Sequence, residues 1–273
     1  MTLAGADIAP RLAPVRGYVI DMDGVLYRGD TALPHAREFL AALDARGIPY
    51  VMATNNSTRT PEQYTEKLAR MGIPVPPERI VTSSLATRAW LEERYPAGTR
   101  VHVLGMAALR DAILGDGRFQ PADLDAEVVV TGADWELTYD KLARACLAIR
   151  RGATWVATNP DTTFPTEEGL VPGAGAILAA LRVATSREPI VIGKPEPGML
   201  LEAGALMGIG PESTAVLGDR LDTDIQAGQR AGFTTVLVLT GVTSAADLAT
   251  ESLQPDLVVP DLAPLLEYYR TLQ

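Results

Sequence analysis

The chain has 273 residues, 47% of them hydrophobic and 21% charged, which excludes a disordered protein and leaves room for one large domain or two modest ones. Its 24 basic residues against 34 acidic ones give a net charge of -10, which opposes general binding to nucleic acid or to an anionic membrane. A single cysteine, Cys146, excludes a disulfide framework and a thiolate metal cluster.

The N-terminal stretch "MTLAGADIAPRLAPVRG" has no long apolar core and no cleavage signature, and no run approaches a membrane span, so a cytoplasmic protein is expected. The first predicted strand, "GYVID" at 17–21, runs directly into Asp21 and Asp23 and turns on Gly24. A helix over 34–46 leads to a strand at 49–54, whose end reads Thr54–Asn55–Asn56–Ser57, and to a helix over 61–71 that opens at Pro61. A strand at 79–82 and a helix at 84–94 follow. Strands at 101–105, 127–132 and 154–158 then alternate with helices at 138–151 and 173–184. Cys146 sits among apolar residues at helical spacing, which predicts a buried structural thiol. The last series begins with a strand at 189–193 that ends in Gly193–Lys194, then a helix at 197–208. A strand at 214–219 ends in Gly218–Asp219 and precedes a helix at 222–231, for which Asp222 is the expected cap. Strands at 234–239 and 256–259 and a helix at 261–271 close the chain.

Strand–helix alternation of this kind predicts an α/β protein with doubly wound, Rossmann-like parallel sheets. Such sheets bind ligands beyond the carboxyl ends of their strands. Four strand ends carry polar or special residues: Asp21 and Asp23, Thr54 to Ser57, Gly193–Lys194 and Gly218–Asp219. The strands between about 100 and 160 do not end this way. The predicted organisation is therefore a core of two segments, 1–83 and 187–273, with an α/β domain inserted over 84–186.

The chemistry follows from the residues at those ends. Asp21, Asp23, Asp219, Asp222 and Asp224 would crowd one site if their strands are neighbours. Two unit charges about 4 Å apart repel by ~4 kcal/mol at an effective dielectric near 20, so a cation is expected. Carboxylate oxygens suit Mg²⁺; zinc is disfavoured because His35 and His102 have no neighbouring ligand spacing. The stretch "TNNS" offers amides and hydroxyls for phosphate oxygens, while capping of the following helix remains open for Thr54 and Asn55. Lys194 in "IGKPEPG" adds one positive charge, but Pro195 stands where the phosphate loop of nucleotide hydrolases needs Ser or Thr. "GAGAIL" at 173–178 lacks the third glycine of a dinucleotide site. A carboxylate pair, a metal site, a polar cradle and a lysine are the parts of phosphoryl transfer, with one aspartate attacking and the other donating a proton.

The four stretches "DMDGVLYRG", "ATNNST", "IGKPEPGML" and "LGDRLDTDIQAG" resemble, in order, the four motifs of the haloacid dehalogenase (HAD) superfamily. More narrowly they resemble the phosphatases of NagD, 4-nitrophenylphosphate, phosphoglycolate and pyridoxal phosphate type, from Tyr18 to about Gly241. "TNPDTTFPTEEGLVPGAGAI" resembles the cap segment of that group. The resemblance implies a HAD core with a large α/β cap, and a Mg²⁺-dependent phosphomonoester hydrolase acting on a small-molecule substrate. It implies Asp21 as the nucleophile that becomes an aspartyl-phosphate and Asp23 as general acid and base. Mg²⁺ would be held by Asp21, the Asp23 backbone carbonyl and Asp219, with Asp224 behind them. Thr54, Asn55, Asn56 and Lys194 would hold the phosphate. Phe164 stands where some relatives place a substrate-touching histidine, which hints at an apolar or aromatic leaving group. A homodimer through the cap is implied by similarity alone. Two other functions compete: a phosphotransferase or mutase using the same phosphoaspartate, which the large insert disfavours, and a catalytically silent ligand-binding protein, which the presence of Asp21, Asp23, Thr54, Lys194 and Asp219 disfavours.

Overall fold

The apolar runs build two sheets rather than one. The computed structural model describes residues 8–166 and 168–272, and contacts within it divide the chain into two units. The first unit takes the chain up to Thr54, Tyr64–Val81 and Lys194 onward; the second takes Asn55–Gln63 and Thr82–Gly193. The second unit includes residues 55–63 and 187–193 beside residues 84–186.

The first unit is built on a six-stranded sheet: β1 (Gly17–Ile20), β2 (Tyr50–Thr54), β3 (Ile80–Thr82), β4 (Thr214–Gly218), β5 (Thr234–Val238) and β6 (Leu257–Val259). Their order across the sheet is β3-β2-β1-β4-β5-β6. β1 pairs in parallel with both β2 and β4, β4 with β5, and β5 with β6. The sequences "GYVI" and "TAVLG" are buried at every residue, so these strands read as continuous apolar runs rather than alternating ones, as a sheet covered on both faces requires. From β1 the chain builds outward to β2 and β3, and later from β4 to β5 and β6. The order therefore reverses between β1 and β4, and an open α/β sheet offers its ligand crevice at that switch point.

Helices Ala36–Ala45 and Ala263–Thr271 bring Phe39 and Tyr269 against Tyr18 of β1. Tyr18 and Phe39 meet edge to face at 5.8 Å, and the buried Tyr18 and Tyr269 hydroxyls share a 2.7 Å hydrogen bond. This cluster anchors the strand that delivers Asp21.

The second unit holds a five-stranded parallel sheet in the order Ile190–Val191, Thr154–Ala157, Val128–Thr131, Arg100–Leu104, Gln120–Pro121. Helices Tyr139–Arg150 and Ala174–Thr185 cover it with Ala145, Ile149, Leu178 and Leu181 on Val129 and Trp155. Thr163–Thr166 and Gly169–Pro172 form an antiparallel hairpin. Cys146 packs at the edge of this core and is half-buried rather than fully enclosed, because its helix turns it toward the rim. The strand expected over 189–193 is shortened to Ile190–Val191. Helices Ala107–Leu114 and Ala245–Thr250 are not signalled by periodicity, and neither is the small hairpin of Tyr27–Arg28 with Thr31–Ala32. Among the described residues no helix is long and apolar enough to cross a membrane.

Replacing Tyr18 by Phe strands the buried Tyr269 hydroxyl. Urea unfolding should show a loss of about 1–3 kcal/mol with an unchanged slope. An unchanged midpoint would mean that the Tyr18–Tyr269 bond contributes nothing to holding β1.

Candidate active site

Two carboxylates leave the sheet side by side. Asp21 follows β1, and its backbone N–H donates to Leu217 O of β4 at 2.8 Å, so its main chain still belongs to the ladder. Asp219 follows β4 and is buried. Asp224 lies in the turn Leu221–Ile225, whose Ile225 N–H reaches back five residues to Arg220 O. That wider turn is of the kind that recurs at functional sites. It aims Asp224 inward, with 1% of the residue exposed. Carboxylate oxygens of Asp21, Asp219 and Asp224 all lie within 4.8 Å of one another.

Lys194 closes this group. It is only 2% exposed, and its ammonium donates to Asp21 Oδ1 at 2.5 Å, Asp224 Oδ1 at 2.6 Å and Ala53 O at 3.0 Å. An ammonium has three protons, and these three acceptors use them. Asp224 Oδ2 accepts from Arg220 N–H at 3.2 Å, which fixes the second oxygen of that carboxylate.

Glycines shape the pocket around Asp219. Gly24 has φ +78°, a conformation costly for other residues, and a Cβ there would strike the Asp219 carboxylate. A Cβ at Gly241 would strike it too, and one at Gly218 would strike Asp224. Val242 N–H donates to Asp219 Oδ2 at 2.7 Å, and Thr240 Oγ1 donates to Gly24 O at 2.6 Å. The 240–243 loop thus seats one carboxylate and ties down the turn after β1. Gly241 is not among the residues predicted from sequence; its only signal there is a Gly just beyond the strand "TTVLVL".

The electrostatics are those of crowded, buried acids. Burial raises Asp21 well above the usual carboxylate range; Lys194 opposes that rise, and Asp224 and Asp219 add to it. Burial, then the Asp224 charge, raises Asp219 from 3.8 to about 7. For Lys194 burial disfavours the charge, yet Asp21 and Asp224 outweigh it and hold the ammonium above its ordinary range. Three hard oxygen donors in excess of one lysine fit a divalent cation such as Mg²⁺, which would offset the repulsion that burial magnifies.

Asp23 is half-buried in the turn after β1, and its Oδ2 accepts from Tyr27 Oη at 3.1 Å. Thr54 ends β2 and is buried. Asn55 and Asn56 belong to the second unit. There Asn55 O accepts from Ser83 Oγ at 2.5 Å and from Asn159 Nδ2 at 2.7 Å, while its Nδ2 donates to Asp161 Oδ1 at 3.0 Å. Asn56 Oδ1 accepts from Thr58 N–H and Oγ1. Ser83, Asn159 and Asp161 are thus bonding partners that sequence reasoning misses; the stretch "TNPD" at 158–161, which opens the cap-like segment, is the one signal for two of them. The helix from Pro61 is capped by Thr60, whose Oγ1 accepts from Gln63 N–H while Gln63 Oε1 accepts from Thr60 N–H, so capping does not fall to Thr54 or Asn55. Asp222 does not cap its helix either: it is exposed and paired with the Arg220 guanidinium at 2.8 and 3.0 Å. Phe164 lies in the second unit's hairpin, 5.3 Å from the ring of Trp135. Gly173 and Gly175 serve packing, since a Cβ at either would hit the backbone of Pro160 or Asp161.

Residues 18–117 match the family model described as haloacid dehalogenase-like hydrolase, and residues 191–265 match one described as HAD-hydrolase-like. An acid sugar phosphatase of Staphylococcus aureus is 42% identical over 247 residues, 90% of this chain and 95% of that protein. The crystal structure of 4-nitrophenylphosphatase from Thermotoga maritima superposes with a TM-score of 0.89 at 36% identity, covering 94% of this chain and 98% of that one. Glycerol phosphate phosphatase from Mycobacterium tuberculosis, solved in complex with magnesium, gives a TM-score of 0.86 at 34% identity over 93% of this chain and 77% of that one.

The raised pKa of Asp219 predicts a pH signature in metal-free protein. Its stabilising contribution is full below about pH 4 and is lost as pH rises toward 7, because the unfolded chain gives up the proton first. Asp219→Asn removes that loss. In EDTA its Tm should overtake that of the parent protein as pH rises from 4 to 7, by on the order of 5 °C, and added Mg²⁺ should reverse the difference. A pH-independent Tm difference would contradict the buried repulsion.

Proposed function

The chain belongs to the haloacid dehalogenase-like hydrolases, as a phosphatase of the NagD and 4-nitrophenylphosphatase type, and we propose that it hydrolyses small phosphomonoesters with Mg²⁺ through an aspartyl-phosphate on Asp21. The observation that carries this reading is Lys194, buried between Asp21 and Asp224 and bonded to both. A lysine so placed steadies one Asp21 oxygen and leaves the other as the attacking atom. It also places positive charge where the phosphoryl oxygens arrive.

In the first step an Asp21 oxygen forms a bond to phosphorus as the ester P–O bond breaks, and the leaving oxygen takes the proton from Asp23. In the second, a water oxygen bonds to phosphorus while Asp23 recovers a proton from that water. The P–O bond to Asp21 breaks, releasing inorganic phosphate and restoring both aspartates. Thr54, Asn55 and Asn56 contact the phosphate, and the Asn55 main chain is held for this task by Ser83 and Asn159. Mg²⁺ would be held by the carboxylates of Asp21 and Asp219 and by the Asp23 carbonyl, while Asp224 anchors Lys194. When bound, the metal supplies neutralisation of the phosphoryl charge. We assign the second unit as the cap, in which Phe164 packs against Trp135 as an aromatic pair. The acid sugar and glycerol phosphate phosphatases among the relatives point to sugar and glycerol phosphates as the first substrates to assay.

Asp21→Asn should cut phosphate release from 4-nitrophenyl phosphate in Mg²⁺ by about 10³-fold or more, with the circular dichroism spectrum retained. Turnover near the parent level would remove Asp21 as nucleophile.

A further inference from the structure

The turn after β1 contains a tyrosine that the two-step hydrolysis does not use. Tyr27 is fully buried, and its hydroxyl donates to Asp23 Oδ2 at 3.1 Å. The backbone closes the same turn: Gly24 N–H donates to Tyr27 O at 2.8 Å, and Tyr27 N–H donates to Met22 O at 3.3 Å. The ring is gripped from its face by Lys67, whose ammonium lies 4.0 Å from the ring centroid. Lys67 comes from helix Pro61–Arg70, its side chain is 10% exposed, and it reaches Asp30 at 3.7 Å.

We infer that Tyr27, braced by Lys67, is a positioning residue for the proton transfer by Asp23, an inference that rests on Asp23 being the general acid and base. A phenol hydroxyl is a donor at neutral pH, and a cation over the ring face draws electron density from the ring and strengthens that donor. A hydroxyl donating to Oδ2 favours the form in which Oδ2 is the carbonyl-like or charged oxygen. The transferable proton therefore resides on Oδ1. From there it passes to the leaving oxygen in the first step, and Oδ1 takes a proton from water in the second. The bond also removes the rotational freedom of a short side chain in a turn, and small errors of geometry at a transferring proton are costly. Orienting Asp23 is separable from simple turn closure, because the main-chain bonds of the turn do not involve the hydroxyl.

The measurement is kcat/KM on two esters, because this ratio reports the steps up to departure of the leaving group. 4-Nitrophenolate leaves with little help from an acid, whereas the alkoxide of glycerol phosphate needs its proton. Asp23→Asn should therefore lose far more on glycerol phosphate than on 4-nitrophenyl phosphate. Tyr27→Phe, which keeps the ring and the turn, should show the same asymmetry, with the ratio of the two losses about ten-fold. Lys67→Met keeps the packing of the stem and should shift the ratio in the same direction by less; it answers the question if Tyr27→Phe fails to fold. Equal losses on both esters for Tyr27→Phe, or none, beside an asymmetric Asp23→Asn, overturn the inference while leaving Asp23 as the acid. A symmetric loss for Asp23→Asn overturns the assignment of Asp23 and the inference with it.

Discussion

Burying an ammonium without compensation costs several kcal/mol, and Lys194 offsets that cost by placing each of its protons on an acceptor from a different part of the chain. Asp21 comes from the end of β1, Ala53 from within β2, and Asp224 from the turn after β4. One side chain therefore fixes the mutual positions of three strand ends. Burial raises both neighbouring acids, and the lysine bears on them differently. Asp21 has the lysine to oppose its desolvation. Asp219 accepts from the backbone N–H of Val242 instead, and it too is raised, to about 7. Three carboxylates around one ammonium leave an excess of negative charge that a hard divalent cation is suited to neutralise.

Much of this was legible in the sequence because the informative residues stand at strand ends. Apolar runs of four to six residues located the strands, and the chemistry-bearing residues followed each run directly, so locating the strand located the residue. The parts that escaped depend on approach between distant segments. Gly241 matters because Asp219 occupies the space a side chain would need, and no local pattern encodes that. Residues 55–63 group with the second unit through bonds from Ser83, Ser84 and Asn159 to their main chain, contacts that periodicity does not report. Asp222 and Asp224 are two residues apart on one short turn. Only its widened geometry decides that Asp224 turns inward and Asp222 outward to Arg220. The hairpin at Tyr27–Arg28 escaped because strands of two residues have no period to detect.

Glycine and backbone amide contacts around the carboxylates have a common effect. Gly24, Gly218 and Gly241 let main chain approach the acids closely, while Val242 and Arg220 offer N–H groups that are held by the fold itself. Dipoles fixed in this way do not reorganise when charge moves, and such preorganisation accounts for much of the rate enhancement of many enzymes. The irregular turn and the close-packed glycines are thus the means by which a rigid sheet delivers polar groups to an edge where regular structure has ended.

Asp21 and Asp23 are two residues apart and chemically identical, yet the fold separates their surroundings. Asp21 continues the ladder through its N–H and meets a cation. Asp23 lies beyond the ladder and meets a neutral phenol. The ammonium opposes the burial that raises Asp21, and so favours the charged, attacking form that the proposed nucleophile needs. A carboxylate bonded to a neutral donor has no such counter-charge beside it, which suits the acid–base role proposed for Asp23. In the proposed mechanism, environment rather than residue type divides the labour. It requires that the strand stop between the two positions, so that Asp21 faces the lysine while Gly24, with its positive φ, turns the chain at once and gives Asp23 a different neighbourhood.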